Sequence, residues 1–273
     1  MEIGIFSKTW NLSLEETFKE MSAYGIHHTQ FNLSSAGLPT MPDEIDKAKL
    51  KEIKHLAKKY DIHLDALSGT FNMIDPDIEK RNEGIKQFDI LCKIAKELQI
   101  TIITLCTGSK NRESKWKWHP NNDTPEAWED LLDTTSQILK SAETHNIILG
   151  VETEASNIVN TPLKARTYLD TFNSSNLKIV MDGANLFLPS QVENMEEVLK
   201  EAFIYLGKDI VLAHAKDLAN TSDIAFVAAG EGILDYNTYI ALLKKYAYDG
   251  PLIMHGLSVD QISSSIEFLE EKL

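Results

Sequence analysis

The chain has little of what would mark it for the cell exterior, for a bilayer or for a nucleic acid. In 273 residues it carries only two cysteines, Cys92 and Cys106. The first falls in a helical pattern and the second in a strand pattern, so buried free thiols are expected and a disulfide framework is not. The opening M-E-I-G-I-F-S-K-T-W lacks a basic segment, an apolar core and a small-residue cleavage site, so no secretory signal is read there. No apolar run is long enough to span a bilayer. These absences point to a cytoplasmic protein with no membrane partner. An excess of positive charge is missing too. Lys and Arg number 27 against 41 Asp and Glu, a formal net charge of -14, which argues against an extended grip on nucleic acid. A local basic pocket is still compatible with that balance.

A Gly-rich phosphate turn is also absent after the first strand pattern, where F-S-K-T-W-N-L-S stands instead. Its absence counts against an open, doubly wound sheet. What is present is regular alternation. Apolar runs ended by polar residues predict strands at 2–7, 28–33, 63–69, 101–106, 147–153, 178–182, 210–215 and 251–255. Between them, three- and four-residue apolar spacing predicts helices at 13–24, 44–60, 77–98, 125–145, 162–173, 194–206, 236–247 and 258–271. Start signals at Asp77, Thr124-Pro125-Glu126, Thr161-Pro162 and Asp235 support several of them. Strand and helix alternating in this way, at this length, predict an α/β protein: a single (β/α)8 TIM barrel spanning 1–273, with its site at the C-terminal ends of the strands.

Four strand ends carry ionisable residues about one strand-helix unit apart: V-E-T-E at 151–154, V-M-D-G at 180–183, L-A-H-A-K-D at 212–217 and L-I-M-H-G at 252–256. A closed barrel brings such ends to one face. Glu152 and Glu154 alternate onto the same side of their strand, and Lys216 projects beside His214. Taken singly, each residue has an ordinary reading: an acidic strand end, an Asp that caps a turn, a histidine satisfied in the core. Taken together, Glu152, Asp182, His214 and His255 form an oxygen-nitrogen set suited to a divalent ion, with Mn, Fe, Co or Zn fitting better than Mg.

Further candidates lie in the connections. The segment 107–125 holds Trp116, Trp118, His119 and four basic side chains, Lys110, Arg112, Lys115 and Lys117. A loop this long is often functional. Arg112 and His119 are candidate substrate contacts, and the two tryptophans are candidates for a lid or a homo-oligomer contact. Asn185, three residues after Asp182, is read as orienting substrate or stabilising the loop. Trp10, Gln30 and Asn72 stand near the ends of the first three strands, where substrate contacts are expected. His63 and Asp65 alternate on strand three and are candidates to support the mouth, although His63 lies at its beginning and is read as structural. A second long connection, 219–236, contains G-E-G at 230–232, a pattern that serves turns more often than phosphates.

With V-E-T-E, M-D-G-A-N and H-A-K-D in place on strands five, six and seven, the chain resembles the xylose isomerase-like TIM-barrel superfamily, the sugar phosphate isomerase/epimerase group, over essentially its whole length. That superfamily includes ketose epimerases, hydroxypyruvate isomerases, inosose dehydratases and relatives of apurinic endonuclease. In its ketose epimerases one metal is held by Glu, Asp, His and a second Glu. The resemblance puts Glu152, Asp182 and His214 on the first three ligands and His255 on the fourth. Asn185 stands where a histidine is common. The implied activity is a metal-dependent isomerase or epimerase of a small sugar, sugar phosphate or related polyhydroxy carbonyl compound. It would pass through an enediolate, with Glu152 as base, Glu154 or His255 as second proton carrier and Lys216 stabilising oxyanion charge. The alternatives are a lyase that dehydrates a polyol-derived ketone and a non-catalytic sugar-binding barrel.

Overall fold

Eight parallel strands close on themselves in the computed structural model, which describes residues 1–187, 189–221 and 225–273. They are β1 (Ile3–Phe6), β2 (His28–Phe31), β3 (His63–Ser68), β4 (Ile102–Leu105), β5 (Ile148–Glu152), β6 (Leu177–Asp182), β7 (Ile210–Ala215) and β10 (Leu252–Met254). Neighbours in sequence are neighbours in the barrel, and β10 pairs with β1 to shut it. The expected (β/α)8 barrel is therefore present. Each strand lies within a residue or two of its expected range, and most are shorter, because a ladder needs paired backbone as well as apolar pattern.

The helices α1 (Leu14–Ala23), α2 (Lys47–Tyr60), α3 (Ile78–Leu98), α4 (Pro125–His145), α5 (Pro162–Phe172), α6 (Met195–Leu206), α7 (Tyr236–Lys245) and α8 (Ile262–Glu270) fill the gaps. Local chemistry fixes their ends. Ser13 and Glu16 form a reciprocal capping box on α1, while Thr124-Pro125 and Thr161-Pro162 open α4 and α5. Helices α2 to α5 each stop on a residue with left-handed backbone: Asp61, Gln99, Asn146 and Asn173. Two expected starts move inward. Asp46 caps α2 by accepting from Lys49 N, and a 3-10 turn over Val259–Gln261 precedes α8. No helix among the described residues is long and apolar enough to cross a membrane.

Two cores result. The large one lies between the barrel's outer surface and the helices, where side chains such as Phe18, Phe31, Phe88 and Phe203 are completely buried. Each contributes about 1.5–3 kcal/mol by leaving water. The small one lies inside the barrel, where Ala66, Val180, Leu212 and Ile253 meet, with Phe6 and Ile102 packed against them. It fits because glycine gives it room. A Cβ on Gly4 would come within 2.5 Å of Ile253 Cδ1, and one on Gly150 within 2.8 Å of Val180 Cγ2.

One element was not expected. Between β7 and α7 a short antiparallel pair, β8 (Asp217–Leu218) and β9 (Phe226–Val227), folds back on itself. Residues 222–224 of the connection predicted at 219–236 lie outside the described residues. At the other end of that connection, Asp217 accepts hydrogen bonds from the backbone of Gly230, Gly232 and Leu234 at 2.8–3.1 Å. The G-E-G amides are thus turned onto a carboxylate of the chain itself, which is the turn reading of that motif.

Candidate functional site

The ends of β5, β6 and β7 place Glu152, Asp182 and His214 side by side in register, with Glu152 opposite Val180 and Asp182 opposite His214. Among the described residues these three form a group whose ligand atoms all lie within 4.8 Å of one another. His214 Nδ1 is 3.6 Å from Glu152 Oε1 and 3.5 Å from Asp182 Oδ2. Those separations exceed a hydrogen bond. They do suit a shared ion: nitrogen and oxygen ligands each about 2.1 Å from a metal at a tetrahedral angle stand about 3.4 Å apart. His214 Nδ1 is buried without a hydrogen-bond partner. Asp182 Oδ2 likewise accepts no well-aligned hydrogen bond, although Lys216 Nζ stands 3.0 Å away as an ion pair. The two carboxylates and the imidazole fit a divalent ion by number, type and spacing.

Backbone and side-chain bonds hold the three in place. Asp182 Oδ1 accepts from Ala184 N at 3.0 Å, which caps the turn after β6. The hydroxyl of Tyr239 on α7 is shared between the carbonyls of Met181 and His214, at 2.9 and 3.1 Å, and so ties the ends of β6 and β7 together. Tyr236 does the same for Lys216, donating to its carbonyl at 3.1 Å. The sequence reading missed both tyrosines. Their spacing within α7 looks like any core stripe.

Burial makes the charges interact strongly. Burial alone would raise the Asp182 carboxyl, but the Lys216 ammonium and then His214 hold it well below the usual carboxylate range. Burial works against charge on His214 as well, yet the Glu152 and Asp182 carboxylates outweigh it and raise the ring to about 9. Lys216 is also raised, its burial offset by Asp182, Glu152 and Glu154. Glu154 goes up to about 7, because it is buried and lies near the Glu152 charge. The Lys216 ammonium sits 3.8 Å from the centre of the Phe226 ring, under the β8–β9 pair.

Two expected members take other positions. His255 was read as a fourth ligand, but it lies outside the compact group. Its ring stacks on that of His214, with centroids 5.3 Å apart and planes within 10°, and on Phe6 from the other direction. Imidazole lone pairs lie in the ring plane, so two stacked rings do not converge on one ion. Burial, together with the positive His214 and Lys216, lowers His255 to about 4, which keeps it neutral near pH 7. Asn185 was read as a substrate contact. Instead it is buried with its amide engaged at both ends: Nδ2 donates to Glu152 Oε1 and Oδ1 accepts from Lys216 Nζ, each at 2.6 Å.

The loop candidates are not brought into this group. Asn72 Oδ1 accepts from Ser109 N at 3.0 Å, and its Nδ2 donates to Ser109 O at 2.8 Å, so it joins two connections rather than facing the cluster. His119 Nδ1 accepts from Asn121 N at 3.2 Å and caps the turn Pro120–Asp123. Arg112 is exposed on the wall of a cleft of about 480 Å³ that Asn72, Lys80 and Lys115 also line. Lys110 pairs with Asp130, Lys115 donates to Thr70 O and Lys117 pairs with Glu113. Lys110 and Lys115 fasten the long loop to its neighbours, while the Lys117–Glu113 pair stays within it. Trp116 and Trp118 remain about half exposed, at 52% and 49%. His63 and Asp65 do not support the mouth, because both stand at the opposite end of the barrel, where Asp65 bonds His28 and His63 stacks on it. Gln30 turns inward and bonds His214 instead of facing a substrate.

Comparison with known proteins agrees with the barrel fold. The family model described as xylose isomerase-like TIM barrel matches residues 18–272. A crystal structure titled D-tagatose 3-epimerase-like protein superposes with a TM-score of 0.78 at 18% identity, covering 100% of this chain and 97% of that one. The 3-keto-D-glucoside 4-epimerase YcjR from E. coli gives 0.74 at 16% identity, over 100% and 98%. IOLI protein, solved with a zinc atom, gives 0.74 at 17% identity, over 100% and 96%. At such identities the likeness is one of fold. No curated protein matches the chain.

Proposed function

The chain belongs to the xylose isomerase-like TIM-barrel family, and from that premise we propose that it is a metal-dependent isomerase or epimerase of a small sugar, sugar phosphate or related polyhydroxy carbonyl compound. The observation that carries this reading is the convergence of Glu152, Asp182 and His214 at the C-terminal mouth of the barrel, with Asp182 Oδ2 and His214 Nδ1 buried and without a hydrogen-bond partner. A divalent ion (Mn, Fe, Co, Zn or Mg), when bound there, supplies the electrophilic pull that polarises a carbonyl and its neighbouring hydroxyl.

The protein's own groups do the rest. Asn185 donates to Glu152 Oε1, which leaves Oε2 as the oxygen that takes the proton from the carbon beside the carbonyl. An enediolate results on the substrate. Glu154, whose carboxyl is raised to about 7 by burial and the Glu152 charge, carries the proton returned at the other position; His255, the alternative carrier, would first have to take one up. Lys216 holds its ammonium beside Asp182 and steadies the oxyanion charge that develops. Phe226 over Lys216 and Phe6 beside His255 keep these groups out of bulk water.

Metal analysis of the purified protein, set beside the Glu152→Gln and His214→Ala variants, tests the ligand set. The wild-type protein is expected to retain a divalent ion that both variants lose, and unchanged occupancy in both would refute the assignment. The reaction class is tested by incubating ketoses and their phosphates in deuterated water, where metal-dependent exchange of the α-hydrogen is expected. A product lighter by one water would establish the lyase instead. Binding with no exchange across metals and sugars would establish the sugar-binding barrel.

A further inference from the structure

Inside the barrel, one amide spans the distance between strands that are not neighbours. Gln30 at the end of β2 places its Oε1 2.7 Å from His214 Nε2 on β7. Its Nε2 lies 3.2 Å from Ser68 Oγ on β3 and 3.3 Å from Thr104 Oγ1 on β4. Gln30, Ser68, Thr104 and His214 are 5%, 3%, 3% and 1% exposed, so solvent cannot substitute for any partner.

The direction of this amide has chemical consequences. A hydroxyl donates or accepts as required, so Ser68 and Thr104 accommodate either orientation. The imidazole does not. With the amide oxygen toward His214, Nε2 must carry a hydrogen, and Nδ1 is the nitrogen whose lone pair faces Glu152 and Asp182. With the amide reversed, Nε2 would accept and Nδ1 would carry a hydrogen toward the carboxylates, making the ring a donor and no ligand. The 3.5 and 3.6 Å separations at Nδ1 are too long for such a donor and right for a shared ion.

We propose that Gln30 is a positioning residue, whose side-chain oxygen keeps the hydrogen on His214 Nε2 and thereby reserves Nδ1 for a divalent ion. The second half of this statement rests on the metal reading above, whereas the first half does not. An outer partner of this kind orients a ligating histidine and typically changes metal affinity by about 10- to 100-fold when removed.

The test combines long-range nitrogen-proton NMR of His214 with zinc titration of the purified protein, for the wild type, Gln30→Leu and Gln30→Glu. NMR is read on metal-free protein at a pH where the ring is neutral. The wild type should show hydrogen on Nε2 and a bare Nδ1. Gln30→Leu should show mixed tautomers and a zinc affinity lower by about 10- to 100-fold. Gln30→Glu, which still offers an oxygen to Nε2–H while Ser68 and Thr104 turn to donate, should keep the wild-type tautomer and restore the affinity. A merely structural role would not be rescued in this way. Hydrogen on Nδ1 in the wild type overturns the proposal, as does an unchanged tautomer and affinity in Gln30→Leu. If Gln30→Leu does not fold, the wild-type tautomer and the Gln30→Glu affinity still decide. A wild type that shows the Nε2–H tautomer but binds neither zinc nor manganese upholds the role of Gln30 and sinks the metal reading.

Discussion

Each end of the barrel holds a histidine between two carboxylates, and the two groups are built differently. At the N-terminal end His28 bonds both neighbours directly: Nε2 lies 2.7 Å from Glu2 and Nδ1 2.9 Å from Asp65, while His63 stacks on the ring at 5.0 Å. Every lone pair and hydrogen on that imidazole is used. At the C-terminal end His214 stands 3.5 and 3.6 Å from its carboxylates, with Nδ1 unpartnered and Gln30 holding the other nitrogen. The residue types are the same, so composition does not distinguish a structural ion pair from a site. Spacing and the atom left over do.

That contrast breaks first at the ligands. His214→Ala is expected to abolish detectable metal binding, a loss of well over 100-fold measured by zinc titration, whereas His28→Ala should leave the stoichiometry as it is. Equal losses in both would mean that the two ends are not distinct.

The next effect is on stability. Lys216 is the cation beside the fully buried Asp182, so Lys216→Met strands a carboxylate in the interior and should cost about 3–5 kcal/mol in urea unfolding of the metal-free protein. A cost near zero would show that Asp182 is neutral, contrary to its lowered pKa.

A smaller effect distinguishes the N-terminal group by pH. Burial opposes charge on His28, but Asp65 and then Glu2 outweigh it and raise the ring above its ordinary 6.5. Asp65 is raised as well, because burial outweighs the help it receives from His28. The two partners differ over how favourable the pair is, yet agree in sign: each binds its proton more tightly in the folded chain. The histidine's contribution is complete below about 6.5 and is lost as pH rises through the higher folded value. Relative to His28→Gln, the wild type should therefore lose about 1 kcal/mol or less between pH 6 and pH 9, read from urea midpoints. A gain over that interval would reverse the assignment.

The smallest expected effect is at Glu2, whose side chain is 78% exposed. Glu2→Gln should change unfolding free energy by only about 0.5 kcal/mol, since solvent screens the pair. A larger change would give the N-terminal group a rigidity that its exposure does not suggest.

The sequence made the barrel legible because alternation and caps are local. The apolar runs named all eight strands, and Asp77, Thr124, Thr161 and Asp235 each stand as the cap of a helix. It also named the three residues at the ends of β5, β6 and β7, since a charged residue after an apolar run is visible in one dimension. What it could not give were contacts made across the barrel. Gln30 and His214 are 184 residues apart, and nothing in H-T-Q-F states which side chain the amide will meet. His255 looked equivalent to His214 by placement, but ring orientation separates them. The loop candidates Arg112, His119 and Asn72 failed to reach the cluster because a loop must first satisfy its own backbone and its neighbours. Residues Asp217 to Val227 hid a two-residue strand pair, too short to leave a periodic trace.

The small apolar layer of Ala66, Val180, Leu212 and Ile253 lies across the inside of the barrel and offers a moving proton no side-chain donor or acceptor. It is a dry partition and not an electrical screen, since a low-dielectric layer weakens the interaction of charges less than water does. The two histidine groups are nonetheless joined along β2, where Gln30 bonds His214 and the adjacent Thr29 donates its backbone N–H to Asp65, the partner of His28. Coupling between the two ends therefore runs along β2 and not through the apolar layer, so β2 is the strand to leave intact when the N-terminal end is altered.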